Sequence, residues 1–373
     1  MTLPGGEFEV AIVGAGIVGL AHALACAKRG LSVVVIDRDA RANGASIRNF
    51  GFVTVSGQAQ GAMWQRARRS RDIWLEVAEA AGIAIHQRGM LTVARRPEAA
   101  SVLEAFAAGA MAEDCELLGG ADAARRFPQL APGITAALLS PHEIRIEPRD
   151  ALARIATYLA RQGVTFIWAA AATAVEPGSV RTSLGAVRAR RTIVAPGDDA
   201  TTLFPEVLAP YGLTRCKLQM MRVRPATAAV PHVLMGDLSL IRYAAFGTSP
   251  AAAALRSRLE REAGPQLAAG VHLIVAGASD GTCVIGDSHV YGQTPDPFAD
   301  EAIDRLILDE YAQLLGHRPD VIERWTGTYA SSSVASVIVA APAPEIRVVT
   351  VATGAGMSCS FALAEEVVDE MGI

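Results

Sequence analysis

The chain has 373 residues, of which 51% are hydrophobic and 19% charged, with a net charge of −4. That length supports two domains around a large core, and the composition excludes a disordered chain and argues against a general nucleic-acid binder. The apolar stretch 8–36 is broken by glycines and charges, which fits neither a signal peptide nor a membrane span, and the five scattered cysteines lack CxxC spacing, as expected for reduced thiols in a cytoplasm with no disulfide framework and no metal site.

Phe8–Val13 reads as a strand buried on both faces in its second half. The glycine segment Gly14-Ala15-Gly16-Ile17-Val18-Gly19 follows at once. Ile17–Arg29 is alanine-rich, free of proline and closed by Gly30, the pattern of a helix. Ser32–Ile36 is a second β-branched run that ends in Asp37. This strand–turn–helix–strand unit has the parts a dinucleotide needs. Gly14 permits the tight turn, Gly16 lets backbone approach a pyrophosphate, and Gly19 lets helix and strand pack closely. The helix start, at Ile17 and Val18, offers N–H groups and a positive dipole end to phosphates. Asp37, followed by Arg38, lies near the roughly 20-residue separation at which an acid accepts from a ribose hydroxyl.

The next segment, Asn43 to Phe52, is small and polar and reads as a loop against a ligand. Helices are expected over 60–81, 98–111, 121–127 and 149–162, and strands over 83–93 about Gly89 and over Val164–Ile167. Arg191-Thr192-Ile193-Val194-Ala195-Pro196-Gly197-Asp198 is a strand running into a small-residue turn. Leu213–Val223, carrying Lys217, Gln219 and Arg222, and Leu240–Phe246, carrying Arg242 and Tyr243, are further strand candidates. Two strands flank the turn Ser279-Asp280-Gly281, and a helix spans 300–315. The last strand, Arg347–Ala352, feeds a second glycine segment, Gly354-Ala355-Gly356-Met357-Ser358, and a final helix. Two such segments at opposite ends suit a chain wrapped around FAD better than one that binds a nicotinamide. Strand–helix units sit at both ends and in the middle, with strand-rich material between them. The expected architecture is therefore a discontinuous α/β Rossmann-like FAD-binding domain (1–83, 146–210 and 335–373). A substrate domain of α+β type on a mostly antiparallel sheet completes it (84–145 and 211–334).

These residues resemble the glycine oxidase/D-amino-acid oxidase superfamily of FAD-dependent amine oxidoreductases over nearly the whole chain. The resemblance rests on the Gly14 fingerprint with Asp37, on Gly44-Ala45-Ser46, on Thr192 to Gly197 and on Gly354 to Met357. Four stretches (46–51, 216–222, 286–292 and 324–329) are similar to a branch associated with phosphonate catabolism. One departure stands out. Glycine oxidases commonly carry an Arg-Pro pair near Gly327-Thr328-Tyr329, whose arginine grips the substrate carboxylate, and no arginine occupies that stretch here. This puts a simple α-amino acid in doubt and leaves room for a phosphonate.

The resemblance implies oxidation of a small anionic primary or secondary amine, an aminophosphonate or N-substituted amino acid, to an imine by hydride transfer to flavin N5. Hydrolysis then yields a carbonyl compound and an amine, and molecular oxygen or another acceptor takes the electrons. It also implies that Ser46, Arg48 and Asn49 line the flavin or its phosphates. Arg38, Ala45, Phe50, Gly51, Val175, Pro196 and Gly197 are counted with them as cofactor contacts. Backbone N–H groups of Gly356, Met357 and Ser358 suit the charge that reduced flavin gathers. Lys217 is a candidate cation beside the flavin. His289 is a candidate to hold the substrate or take its ammonium proton. Arg222 and Arg242 are candidates for the substrate anion, with Tyr243, Tyr291, Trp325 and Tyr329 as pocket walls. The competing reading is a 2-hydroxy-acid dehydrogenase on the same scaffold, with His289 as the base.

Overall fold

The structure is a computed structural model and describes residues 6–373. It contains two sheets. The first runs Val337–Ala343, Ile346–Val351, Gly185–Val194, Glu7–Val13, Val33–Ile36, Thr165–Ile167 across its width. Along this path all neighbours are parallel except the first pair. Val10–Val13 and Val33–Ile36 are buried throughout, as befits parallel strands covered on both faces. The hairpin Ala172–Glu176/Ser179–Thr182 hangs from the outer half of Gly185–Val194.

Four helices pack into one core on one face of this sheet: Ile17–Lys28, Ala62–Ala81, Pro148–Arg161 and Gly356–Glu370. Small residues allow the first and last to lie close together. Ala21, Ala25 and Ala364 are buried in that core. Trp74 locks the second helix to the last. Its ring meets Phe361 edge-on at 5.0 Å, and its Nε1 donates to the Met357 carbonyl at 2.7 Å.

The second sheet is antiparallel apart from the pairing of Val233–Met235 with Ile85–Ala94. Its long strands are Ile85–Ala94, Ala136–Ile146, Thr214–Arg224 and Asp320–Ser331. Phe52–Val53 crosses from the first helical region to pair with Ala136–Ile146. Leu240–Phe246 is not a strand. Arg242 and Tyr243 lie between the short helices Asp237–Leu240 and Ala244–Gly247, and both backbone N–H groups donate to the Ser239 carbonyl. A short apolar run has the same appearance in a strand and in a buried helical turn, and here the local turn bonds prevail. The helix Pro250–Glu262 was not expected from the sequence. Among the described residues no helix is long and apolar enough to cross a membrane.

The two layers are joined by charge. Arg145 ends a long strand of the second sheet with its side chain fully buried, and its guanidinium donates to Glu147 at 3.1 Å. Glu147 caps helix Pro148–Arg161, accepting from the Arg149 amide, and also takes Arg222 at 3.0 Å. Burial pushes the Glu147 carboxyl up, but Arg145 and Arg222 outweigh it and hold it below its ordinary 4.5. A group held down in this way stabilises the fold above 4.5 and stops doing so as pH falls through its folded value. Glu147→Gln is therefore expected to cost about 3 kcal/mol at pH 7, because it leaves a buried guanidinium uncompensated. Urea unfolding should show this, and the gap between wild type and variant should narrow as the pH is lowered below 4.5.

Candidate active site

A cavity of about 490 Å³ lies where the parallel strands of the first sheet end, between the two sheets. This is the crevice in which open α/β sheets bind ligands. Both glycine segments line it, with the loop around Ser46 and the near face of the second sheet.

The first segment is shaped by backbone crowding. Gly14 has φ +104°, and a Cβ there would stand 2.4 Å from the Ala195 carbonyl oxygen. A Cβ on Gly19 would stand 1.8 Å from the Gly14 carbonyl oxygen. Gly16, Ile17, Val18 and Gly19 face the cavity. Helix Ile17–Lys28 starts there with no capping side chain on Gly16 and no acid in its first turn, so the first-turn donors beyond Ile17 remain for a ligand. Ser46 Oγ accepts from the Ile17 N–H at 2.9 Å. Asp37 does not line the cavity. Its carboxylate accepts from the Ala15 N–H at 2.6 Å and the Asp39 N–H at 2.9 Å, pinning the glycine turn to the next strand. Burial raises its pKa.

The loop after Gly44 is held by Asn49. Its side-chain amide donates to the carbonyls of Ala45 and Ser46 and accepts from the Gly51 N–H. Ala45, Ser46, Arg48, Asn49 and Phe50 all line the cavity. Arg48 makes no ion pair among the described residues. At the other end, helix Gly356–Glu370 also starts at the cavity without a capping side chain. The Ser358 N–H donates back to Ala355 and its Oγ accepts from the Thr54 N–H, so Ser358 serves the fold. Gly354, Gly356 and Met357 border the cavity with it.

The second sheet and the helical turn at Arg242 and Tyr243 contribute a polar end. Arg242, Tyr243, His272, Asp287, His289, Tyr291 and Tyr329 all line the cavity. Arg242 is exposed to it, donates to the Tyr291 hydroxyl at 3.2 Å, and has no carboxylate partner among the described residues. Tyr291, 53% exposed, sits at the mouth. Asp287 lies between two histidines, with His272 Nε2 3.0 Å from one carboxylate oxygen and His289 Nε2 3.7 Å from the other. The two imidazoles stack at 5.1 Å. Burial holds both histidines below the usual imidazole range, His289 at about 3. Burial also opposes charge on Asp287, but the pull of His289, His272 and Arg242 exceeds it and holds the carboxyl at about 2. At neutral pH the cluster is one carboxylate with two uncharged rings. His272 and Asp287 were not singled out in the sequence. Asp287, His289 and Tyr291 do recur at two-residue spacing in the sequence, although only Tyr291 lies on a strand.

Several expected residues stand elsewhere. Lys217 faces away from the cavity: Leu218 lines it, and neighbouring strand residues point to opposite faces. The Lys217 ammonium donates to Asp296 and to the Phe298 carbonyl, each at 2.9 Å. Arg222 is spent on Glu147 and Glu323. Trp325 lies behind the loop, donating to the Arg48 carbonyl at 3.1 Å under the Arg149 guanidinium. Arg38 pairs with Asp199 at the surface. Gly51 packs against the Ile146 carbonyl, and Val175 lies on the hairpin with its side chain in the core. Gly197 lines the cavity and Pro196 does not. Cys283 and Cys359 are buried off it, and burial pushes their thiols up to about 11 and about 12.

The chain belongs to the DAO family of FAD dependent oxidoreductases, which it matches over residues 9–370. Among curated proteins there is no match. Among solved structures the chain is similar to glycine oxidase from Bacillus cereus ATCC 14579, at 19% identity and a TM-score of 0.80, covering 98% of this chain and 95% of that one. It is similar to dithionite-reduced L-alpha-glycerophosphate oxidase from Mycoplasma pneumoniae with FAD bound, at 16% identity, TM-score 0.77, and coverage of 99% and 96%. It is also similar to iminodiacetate oxidase from Chelativorans sp. BNC1, at 18% identity, TM-score 0.71, and coverage of 97% and 95%. At these identities the likeness is one of fold.

The site fits the family's cofactor. Two uncapped helix starts, a turn with no Cβ in the way and an unpaired Arg48 suit a pyrophosphate and a flavin. Gly19→Ala is expected to break this fit, since the added carbon meets backbone. We expect purified Gly19→Ala protein to carry less than about a tenth of the wild-type flavin per chain, measured by absorbance near 450 nm, and to melt at lower temperature.

Proposed function

We propose that this enzyme oxidises the C–N bond of a small anionic amine, an aminophosphonate or an N-substituted amino acid. In this reading the first sheet with its helices holds FAD and the second sheet holds the substrate. The observation that carries it is the Arg242 guanidinium. It is exposed in the cavity, lacks a carboxylate partner among the described residues, and is steadied by the Tyr291 hydroxyl. A planar fork of this kind grips a carboxylate or a phosphonate.

Bound FAD supplies the hydride acceptor. The chain's own part is to hold the substrate and keep water away from the reacting carbon. Tyr243 and Tyr329 wall the site, and burial holds both phenols above their ordinary range, so they stay neutral hydrogen-bonding walls. The aromatic and imidazole rings from Tyr243 through His272 and His289 to Tyr291 and Tyr329 form one continuous surface. Arg242 replaces, from a different element, the arginine missing from the stretch Gly327-Thr328-Tyr329. A guanidinium placed differently suits an anion of different shape or distance, which favours the phosphonate or N-substituted members of the class.

Anaerobic bleaching of the flavin tests this. The panel is 2-aminoethylphosphonate and its N-methyl derivative, sarcosine, iminodiacetate, glycine and glycolate. We expect at least one anionic amine to bleach and glycolate not to. Bleaching by glycolate alone would favour the hydroxy-acid reading. Arg242→Met should weaken apparent substrate binding on the order of 100-fold, as for removal of one partner of a charge-assisted pair worth about 3 kcal/mol.

A further inference from the structure

We propose that Asp287, with His272 and His289, forms the subsite for the substrate's positively charged nitrogen, so that the cavity selects zwitterions. This rests on the amine-oxidase reading and deepens it, because it explains what the end of the cavity beside Arg242 recognises.

The hydrogen bonds fix the character of the cluster. His289 Nδ1 lies 2.8 Å from the Gly270 carbonyl oxygen. A carbonyl only accepts, so Nδ1 carries the hydrogen, and in the neutral ring Nε2 presents a lone pair. That lone pair faces a carboxylate oxygen of Asp287 at 3.7 Å, one acceptor opposite another. On the other side, His272 Nδ1 is 3.3 Å from Ser239 Oγ, which anchors that ring. His272 Nε2 approaches Asp287 Oδ1 to 3.0 Å but off line, so the buried Oδ1 makes no aligned hydrogen bond among the described residues. The cluster therefore has more acceptors than donors. It lines the cavity, and a buried carboxylate without a full set of donors is costly. A ligand that brings N–H donors and one positive charge offsets the carboxylate's charge and supplies donors to the part of the cluster that borders the cavity.

Charge chooses the ligand. At neutral pH the cluster carries one negative charge, and Arg242 in the same cavity carries one positive charge. A zwitterion meets both at once, its anion at the guanidinium and its ammonium at the carboxylate. A hydroxy acid would satisfy Arg242 and leave the Asp287 charge uncompensated. The three ligand atoms also lie within 4.8 Å of one another, near enough for a metal ion. A divalent cation would have to sit beside the Arg242 guanidinium, whose charge acts on Asp287. A monovalent ammonium tethered to its own anion avoids that repulsion.

The test uses FAD-loaded enzyme and ligands that cannot be oxidised because their nitrogen-bearing carbon has no hydrogen. One series is 2-aminoisobutyrate, 2-hydroxyisobutyrate and pivalate. The other is (2-amino-2-methylpropyl)phosphonate with its hydroxyl and methyl counterparts. Binding is read from the change in the flavin spectrum. In at least one series the amine should bind at least 10-fold more tightly than its two isosteres. Asp287→Asn and His289→Gln, each checked for wild-type flavin content, should reduce that preference to less than threefold while the methyl member's Kd changes less than threefold. No preference in either series, or a preference that survives both substitutions, overturns the proposal. So does one equivalent of divalent metal in the purified protein whose removal by chelator abolishes amine binding. Amine preference without flavin bleaching by any oxidisable amine would instead sink the oxidase reading and leave the ammonium subsite standing.

Discussion

The site depends on backbone meeting backbone without a side chain between. Gly19 lies against the Gly14 carbonyl and Gly14 against the Ala195 carbonyl, at separations no Cβ tolerates. Those two contacts bring the start of helix Ile17–Lys28 down onto the ends of two parallel strands. Ser46 then fastens to the helix's first amide and Asp37 to the turn before it. The final helix, packed beside the first through small residues and fixed by Trp74 and Phe361, brings a second helix N-terminus to the same cavity. The fold thus concentrates unpaired amide donors at one place, and the rest of the cavity is built outward from them.

Charge is handled in two ways in this chain. Away from the cavity, cations are closed off: Arg145 and Arg222 share Glu147, Lys217 takes Asp296, and Arg324 takes the buried Asp304. Inside it, among the described residues, Arg48 and Arg242 have no carboxylate within salt-bridge distance, and Asp287 lacks a full set of donors. Leaving such groups without partners costs stability that a purely structural region has no reason to forgo. Arg48 stands with the loop and helix start at one end of the cavity, whereas Arg242, from the turn between two short helices, and Asp287, just after strand Cys283–Gly286, stand at the other; we propose these as the cofactor end and the substrate end. The family's chemistry and this division of charge point to the same assignment.

Contiguous features were legible in the sequence. The strand–glycine–helix unit, the loop at Ser46, the terminal glycine segment and the alternation of the chain between two sheets could each be read locally. The polar end of the cavity was legible only in part, because it is assembled by pairing. His272 reaches Asp287 through reciprocal backbone hydrogen bonds between the two residues, which no local pattern reveals. Arg242 was found by its chemistry but placed on a strand, since Leu240–Phe246 is too short for periodicity to distinguish turn from strand. Lys217 illustrates the opposite error. The structure puts its neighbour Leu218 on the cavity face, and parity along the strand then excludes Lys217 from it. Arg222 was attractive as an unpaired cation in the sequence. Only the fold shows Glu147 and Glu323 beside it.

The most direct test of this account is a crystal structure of the FAD-loaded enzyme with a non-oxidisable zwitterion bound. The account predicts the ligand's anion on the Arg242 guanidinium and its nitrogen within hydrogen-bonding distance of Asp287 or His289. A ligand bound in the reverse sense, or a metal ion held by His272, Asp287 and His289, would contradict it.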